Sequence, residues 1–264
     1  MVMNKIFIFL VSLCFSVFVA GCSRALAPVG HYQDRAVVAD GNADEWPTPL
    51  RFSNSEHTYQ YAITNDNRNV YICIISSNEA TIIRMLRSGI TVYFDNKGEK
   101  NKTTSLEFPV QKAPENSTNN GNPANETSIK NTEDELLLQS NFFNTTGFVN
   151  VENGQYSVDD KTSEIKVAIK LHDDSSLVYE AIVPIKDIPG IDPNAKKIKN
   201  FSIGIAVSYP AYARNNNNSF RPSFGMHGMR FGGGGGSRGG SSRNQNKEED
   251  EWYTFRPAFN HNSN

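Results

Sequence analysis

The feature that most constrains the fold is a hairpin written in strict alternation. Ile165, Val167, Ile169 and Leu171 interleave with Lys166, Ala168, Lys170 and His172, so an extended chain here has one dry face and one wet face. Leu177 to Val183 returns, and Pro184, which has no N–H to give a ladder, ends the pairing. The same period recurs elsewhere. From His57 to Ile63, Tyr59, Tyr61 and Ile63 share one face and Thr58, Gln60 and Ala62 the other; from Phe201 to Val207, the small residues oppose Phe201, Ile203, Ile205 and Val207. Val70 to Ile75 is apolar on both faces, as a central strand covered from both sides must be.

Further strands are predicted at Ile90–Phe94, Thr103–Val110 and Glu251–Phe255, with another around Gly147–Val151. A strand over Val37–Ala39 is predicted to stop at the Asp40-Gly41 turn, where glycine takes the positive φ that tight turns demand. Glu79 to Arg87 carries Ile82, Ile83 and Leu86 at helical spacing, capped by Gly89, and Ile185 to Ile188 reads as one helical turn. Short strands, frequent turns and no βαβ alternation point to an all-β fold, an antiparallel β-sandwich of jelly-roll or Ig-like type with one or two short helices. Two stretches interrupt it, around 111–133 and 213–250, both poor in apolar periodicity. The expected organisation is a signal over 1–21, a tether over 22–35, one sandwich over 36–259 and a tail over 260–264.

The first residues read as an export signal. Lys5 supplies positive charge, and Ile6 to Ala20 is almost unbroken apolar sequence, short of the about 20 residues that a membrane span needs. The run ends in Val19-Ala20-Gly21-Cys22, which resembles a bacterial lipobox. That resemblance implies cleavage before Cys22 and acylation of its thiol and new amino group with palmitate-type chains, which anchor a protein to a lipid membrane without a transmembrane helix. Ser23 resembles the residue that follows the cysteine in lipoproteins sorted to the outer membrane of the cell envelope. Of three cysteines, Cys14 leaves with the signal and Cys22 carries lipid, so Cys73 remains, as a small hydrophobe within the Val70–Ile75 run. A formal net charge of −2 argues against an electrostatic nucleic-acid binder.

The order of these pieces resembles the family 9 carbohydrate-binding modules and their DOMON-like relatives. The carrying residues are Asp40-Gly41 with Asp44-Glu45-Trp46, then Ala62-Ile63-Thr64-Asn65-Asp66 with Asn69-Val70-Tyr71-Ile72, then Ile90 to Asp95, and late in the chain Tyr179-Glu180-Ala181-Ile182-Val183-Pro184-Ile185. The resemblance covers roughly 36–110 and 163–256. It implies a jelly-roll-like sandwich and, in sugar-binding members, a cleft where aromatic rings stack on a saccharide, with calcium as a structural ion. A pair of stacking tryptophans does not map onto this chain, because Trp46 belongs to the opening motif and only Trp252 remains.

Trp46 is expected to plug the core where the chain enters the sandwich. Trp252 and Tyr253, with Tyr209 and Tyr212 across the second interruption, are candidates to line a ligand cleft, against the plainer reading that they are ordinary strand aromatics. Asp40, Asp44 and Glu45 offer hard oxygen donors for calcium, although acids in turns more often cap backbone groups. Met226-His227-Gly228-Met229 has soft donors without further ligands nearby, and the Gly232–Arg243 tract lacks the Gly-Lys-Ser/Thr of a phosphate loop, so it reads as a flexible segment. No nucleophile elbow or zinc-binding helix is visible. The sequence therefore leads to two expectations for a non-enzymatic, membrane-anchored protein: it holds a poly- or oligosaccharide at the envelope, or it docks an envelope protein through the same sandwich.

Overall fold

The computed structural model describes residues 27–110, 133–192, 199–208 and 250–260. The described residues form twelve strands, β1 (His31–Tyr32), β2 (Phe52–Ser53), β3 (Gln60–Asn65), β4 (Asn69–Ser76), β5 (Ile90–Asp95), β6 (Ser105–Phe108), β7 (Phe142–Thr146), β8 (Gly154–Ser157), β9 (Lys166–Leu171), β10 (Leu177–Pro184), β11 (Phe201–Val207) and β12 (Glu251–Phe255). They form two six-stranded sheets. Sheet 1 runs β1-β3-β4-β10-β9, with β2 also on β3, and sheet 2 runs β12-β11-β5-β6-β7-β8. Every pairing is antiparallel except β1 on β3. The chain is an all-β sandwich.

The alternation of the sequence builds the space between the sheets. Tyr61, Ile63, Ile72, Ile74, Tyr179 and Val183 of sheet 1 meet Val92, Phe94, Leu106, Phe108, Ile203 and Ile205 of sheet 2, all buried in one continuous core. The Ile165–Leu171 hairpin pairs as its pattern dictates, Leu177 opposite Leu171 and Tyr179 opposite Ile169. A helix, α1 (Glu79–Ser88), carries Ile82, Met85 and Leu86 into that core and contacts β4 of one sheet and β11 of the other. Asn78 caps its start by accepting from the Thr81 N–H, and Gly89 ends it at φ 74°, donating its N–H to Met85.

A second, smaller core lies on the opposite face of sheet 1. There Val37, Trp46 and Leu50, from the chain ahead of β2, cover Ala62, Tyr71, Cys73 and Val178. This explains why β4 is apolar on both faces. Cys73 is completely buried, and burial pushes its thiol well above the ordinary value. At the centre sits Glu180, opposite Cys73 in the β10–β4 register and fully buried. Its carboxylate accepts from the backbone N–H of Asp40 (3.1 Å) and of Gly41 (2.9 Å) and from Nε1 of Trp46 (2.8 Å). Burial pushes the Glu180 carboxyl above the usual carboxylate range, against the three N–H groups that draw it down. Gly41, at φ 78°, lies so close to β9 that a Cβ there would stand 2.6 Å from the Lys170 Cβ.

Four sequence expectations are corrected here. Val37–Ala39 is not a strand: Val37 is buried but Val38 is 57% exposed, and the segment crosses sheet 1 instead of joining it. Trp46 is buried, yet it covers the outer face of sheet 1 and does not plug the space between the sheets, whose end is met by α1. The strand expected near Gly147–Val151 lies earlier, at β7, because Gly147 at φ 73° breaks the run; the sequence reading missed β8, and 133–138 is helical. The tether is shorter than 22–35, since Gly30 N–H donates to Arg256, Arg256 N–H to Pro28, and β1 already pairs with β3.

Replacing Glu180 by alanine strands three donors at once, two of them on the backbone. Unpaired buried donors cost about 1–3 kcal/mol each, so Glu180→Ala is expected to lower stability by at least about 3 kcal/mol. Equilibrium urea unfolding measures this directly; a loss under about 1 kcal/mol would show that the 40–46 stretch is not held by that carboxylate.

Candidate functional site

Sheet 2 differs from sheet 1 on its outer face. The inward residues of β11 are large and its outward residues, Ser202, Gly204 and Ala206, are small and buried. In register across this face stand Trp252, Gly204, Tyr93, Ser105 and Thr146. The Trp252 ring lies flat over Gly204: a Cβ added at 204 would meet three indole carbons at 2.7–2.9 Å. Tyr93 leans in from the other side, its ring centroid 6.0 Å from the indole and tilted by only 15°. Both residues are half-buried. The result is an aromatic shelf lying along the sheet.

Polar groups border the shelf. Lys102 places its Nζ 4.9 Å from the centre of the Tyr93 ring and 2.5 Å from Oδ2 of Asp250. The other oxygen of Asp250, Oδ1, is buried and has no hydrogen-bond partner among the described residues. One register step away run Ala206, Thr91, Glu107, Asn144 and Gln155, with Asn144 donating to the Glu107 carboxylate at 3.0 Å. On the other side Ser202 and Thr254 share a hydroxyl hydrogen bond of 2.6 Å. An apolar ring surface flanked by hydroxyl, amide and carboxylate groups suits a ligand that is itself apolar on one face and hydroxylated at its edge.

The candidate aromatics of β12 do not act together. Consecutive strand residues point to opposite faces, so Tyr253 turns inward and packs at 4.5 Å on Phe52 and 5.1 Å on Phe255, whereas Trp252 turns outward. Tyr209, Tyr212, Met226, His227, Met229, the Gly232–Arg243 tract and Cys22 lie outside the described residues. The sequence reading missed Tyr93 as the partner of Trp252. Its signal was parity, since Thr91 and Tyr93 alternate with Val92 and Phe94, opposite a strand whose own outward residues are small.

The opening motif has a structural occupation. Asp40 accepts the Asn42 N–H at 2.8 Å, a bond that holds its carboxyl below the usual range, and Gly41 presents its carbonyl to Nε2 of His172 at 2.8 Å. Asp44 is exposed and Glu45 half-buried. Among the described residues no grouping of three or more His, Cys, Asp or Glu side chains could hold a metal ion, so Asp40, Asp44 and Glu45 do not converge as a calcium set. Among the described residues, too, no helix is long and apolar enough to cross a membrane.

Gly204→Ala is expected to lift the indole off the sheet. With two tryptophans, one buried at 46 and one half-buried at 252, acrylamide quenching separates them. The variant should make the Trp252 component more quenchable and shift its emission to the red, at a cost of about 1–3 kcal/mol for the overpacked site. Unchanged quenching would mean that the ring does not rest on Gly204.

Compared with protein-family models, curated proteins and solved structures, the chain matches none.

Proposed function

We propose that the chain is a non-catalytic carbohydrate-binding lipoprotein, which holds a glycan on the outer face of sheet 2 and is anchored to the envelope, at the outer membrane, through acylated Cys22. The observation that supports the binding reading is the Trp252 ring lying flat over Gly204 in line with Tyr93. A pyranose offers an apolar C–H face to such a ring and keeps its hydroxyls for the groups around the edge, here the Lys102–Asp250 pair, Glu107 and Asn144. The shelf sits on β11 and β5, interior strands of sheet 2 whose inward side chains are fixed in the main core, so little ordering remains to be done on binding. The anchoring reading rests on the apolar run before Val19-Ala20-Gly21-Cys22.

Affinity electrophoresis of the detergent-solubilised protein through gels containing neutral polysaccharides tests the first reading. Trp252→Ala is expected to weaken retardation about tenfold or more, and Tyr93→Ala to weaken it less, on the scale at which about 1.4 kcal/mol is a factor of ten. Retardation by no polysaccharide, or retardation indifferent to Trp252→Ala, would sink it.

Cell fractionation tests the anchor. Cys22→Ala should move the protein from the membrane to the soluble fraction, and continued membrane association would exclude lipid on Cys22 as the attachment.

A further inference from the structure

The layer of loop over sheet 1 stops short of one end of β10. Val178 belongs to the second core and Glu180 is tied to the 40–46 loop, but two residues further along the same face Ile182 is only half-buried and helps to line an open cleft of about 630 Å³. That volume is within the range of small-molecule sites, about 300–1,000 Å³. Three separate parts of the chain enclose it: the β3–β4 turn, the segment leading into β9, and the turn that follows β10. They are fastened to one another. Ile185 N–H donates to the Arg68 carbonyl at 2.7 Å, Lys166 on β9 lies opposite Ile182 on β10, and Lys166 Nζ donates to the Asp160 carbonyl at 3.3 Å.

The lining is strongly basic on a chain whose formal net charge is −2: Arg68, Lys161, Lys166 and Lys186 face the cleft, against a single acid, Glu164. Glu164 accepts from Lys186 Nζ at 2.6 Å, so that acid is committed. Arg68 and Lys161 are exposed and have no ion-pair partner among the described residues, and Lys166 has only a carbonyl. Acids of the same segments are turned to neutral donors. Asp66 accepts the N–H groups of Arg68 (2.7 Å) and Asn69 (2.6 Å) and the Tyr71 hydroxyl (2.8 Å); Asp160 accepts the Thr162 N–H (2.8 Å) and hydroxyl (2.6 Å); Asp187 accepts the Asn150 amide at 3.0 Å. None of the three lines the cleft. Beneath the cations, Ile182, Pro184 and Ile185 make an apolar floor. A guanidinium fork with uncompensated ammonium groups beside it is the donor set that recognises a multiply charged oxyanion.

We propose that this cleft binds a phosphate monoester, with the Arg68 guanidinium donating to two phosphate oxygens and Lys161 and Lys166 adding charge at the rim. A phosphate monoester carries about −1.5 to −2 at pH 7, a match for the cations that the fold leaves uncompensated, where a carboxylate brings a single charge. The volume of the cleft and its apolar floor accept the small organic body of an ester, which a bare ion lacks. A phosphorylated sugar and the glycerol phosphate of a lipid headgroup share this chemistry. The cleft is on sheet 1 and the aromatic shelf on sheet 2, so the inference does not rest on the glycan reading.

Isothermal titration of the full-length mature protein in neutral detergent and phosphate-free buffer at neutral pH tests the proposal. The probes are inorganic phosphate, glucose 6-phosphate and glycerol 3-phosphate, with glucuronate as the carboxylate comparison. Both esters should bind at one site per chain and more tightly than inorganic phosphate. Arg68→Gln, a change at an exposed residue, should weaken them about tenfold or more, and Lys161→Gln to a smaller degree. Glu164→Gln should tighten binding, because it removes the acid of the lining and releases Lys186. Lys97→Gln removes the same charge from an exposed turn after β5 and should leave the affinity unchanged. Trp252→Ala should leave it unchanged as well, whatever becomes of polysaccharide binding at the shelf. Tighter binding of glucose 6-phosphate than of glycerol 3-phosphate supports the site with a phosphorylated sugar as its ligand, and the reverse order supports it with a lipid headgroup. No binding of either ester, or glucuronate bound as tightly as glucose 6-phosphate, overturns the proposal. Equal losses in Arg68→Gln and Lys97→Gln overturn it too, since diffuse charge would then account for the attraction.

Discussion

The buried carboxylate of Glu180 is the interaction on which the layering of this fold depends. Its three donors come from one stretch of chain, Asp40 to Trp46, that contributes no strand of its own. Without them, an acid in the middle of β10 would have no place among Cys73, Val178 and Ala62. With them, it becomes the point at which an irregular loop is fastened across a sheet. Lys170 Nζ to Asn42 and His172 to the Gly41 carbonyl, both at 2.8 Å, secure the same loop to β9. The molecule is consequently layered as loop, sheet, sheet: sheet 1 is covered on both faces, and the outer face of sheet 2 bears the aromatic shelf.

That asymmetry is written in strand composition. On β4 the outward residues are Tyr71, Cys73 and Ile75, apolar because a loop covers them; on β5 they are Thr91 and Tyr93, and on β6 Ser105 and Glu107. The alternation was legible from the sequence wherever one face is dry and the other wet, because strand parity needs no knowledge of the partner. The hairpin of β9 and β10 and the double-sided β4 were legible for this reason. What could not be read was which layer meets which face. Val37-Val38-Ala39 has the composition of a strand, but its role is to let Val37 reach the second core while Val38 faces away, and only the long-range bond to Glu180 decides that. Likewise Phe142 to Thr146 carries the strand ahead of Gly147, a boundary set by a backbone conformation that the apolar residues on either side do not reveal.

The candidate site was half legible for a related reason. Trp252 and Tyr253 are neighbours in sequence and attract a joint reading, yet a strand separates neighbours and unites residues that lie opposite on adjacent strands. Tyr93 lies more than a hundred residues from Trp252 and meets it because β5 and β12 flank the same β11 and because residue 204 has no side chain. A glycine within an interior strand weakens it unless something uses the space. Here the indole fills that space, so one residue accounts both for the weakness of the strand position and for the flatness of the shelf.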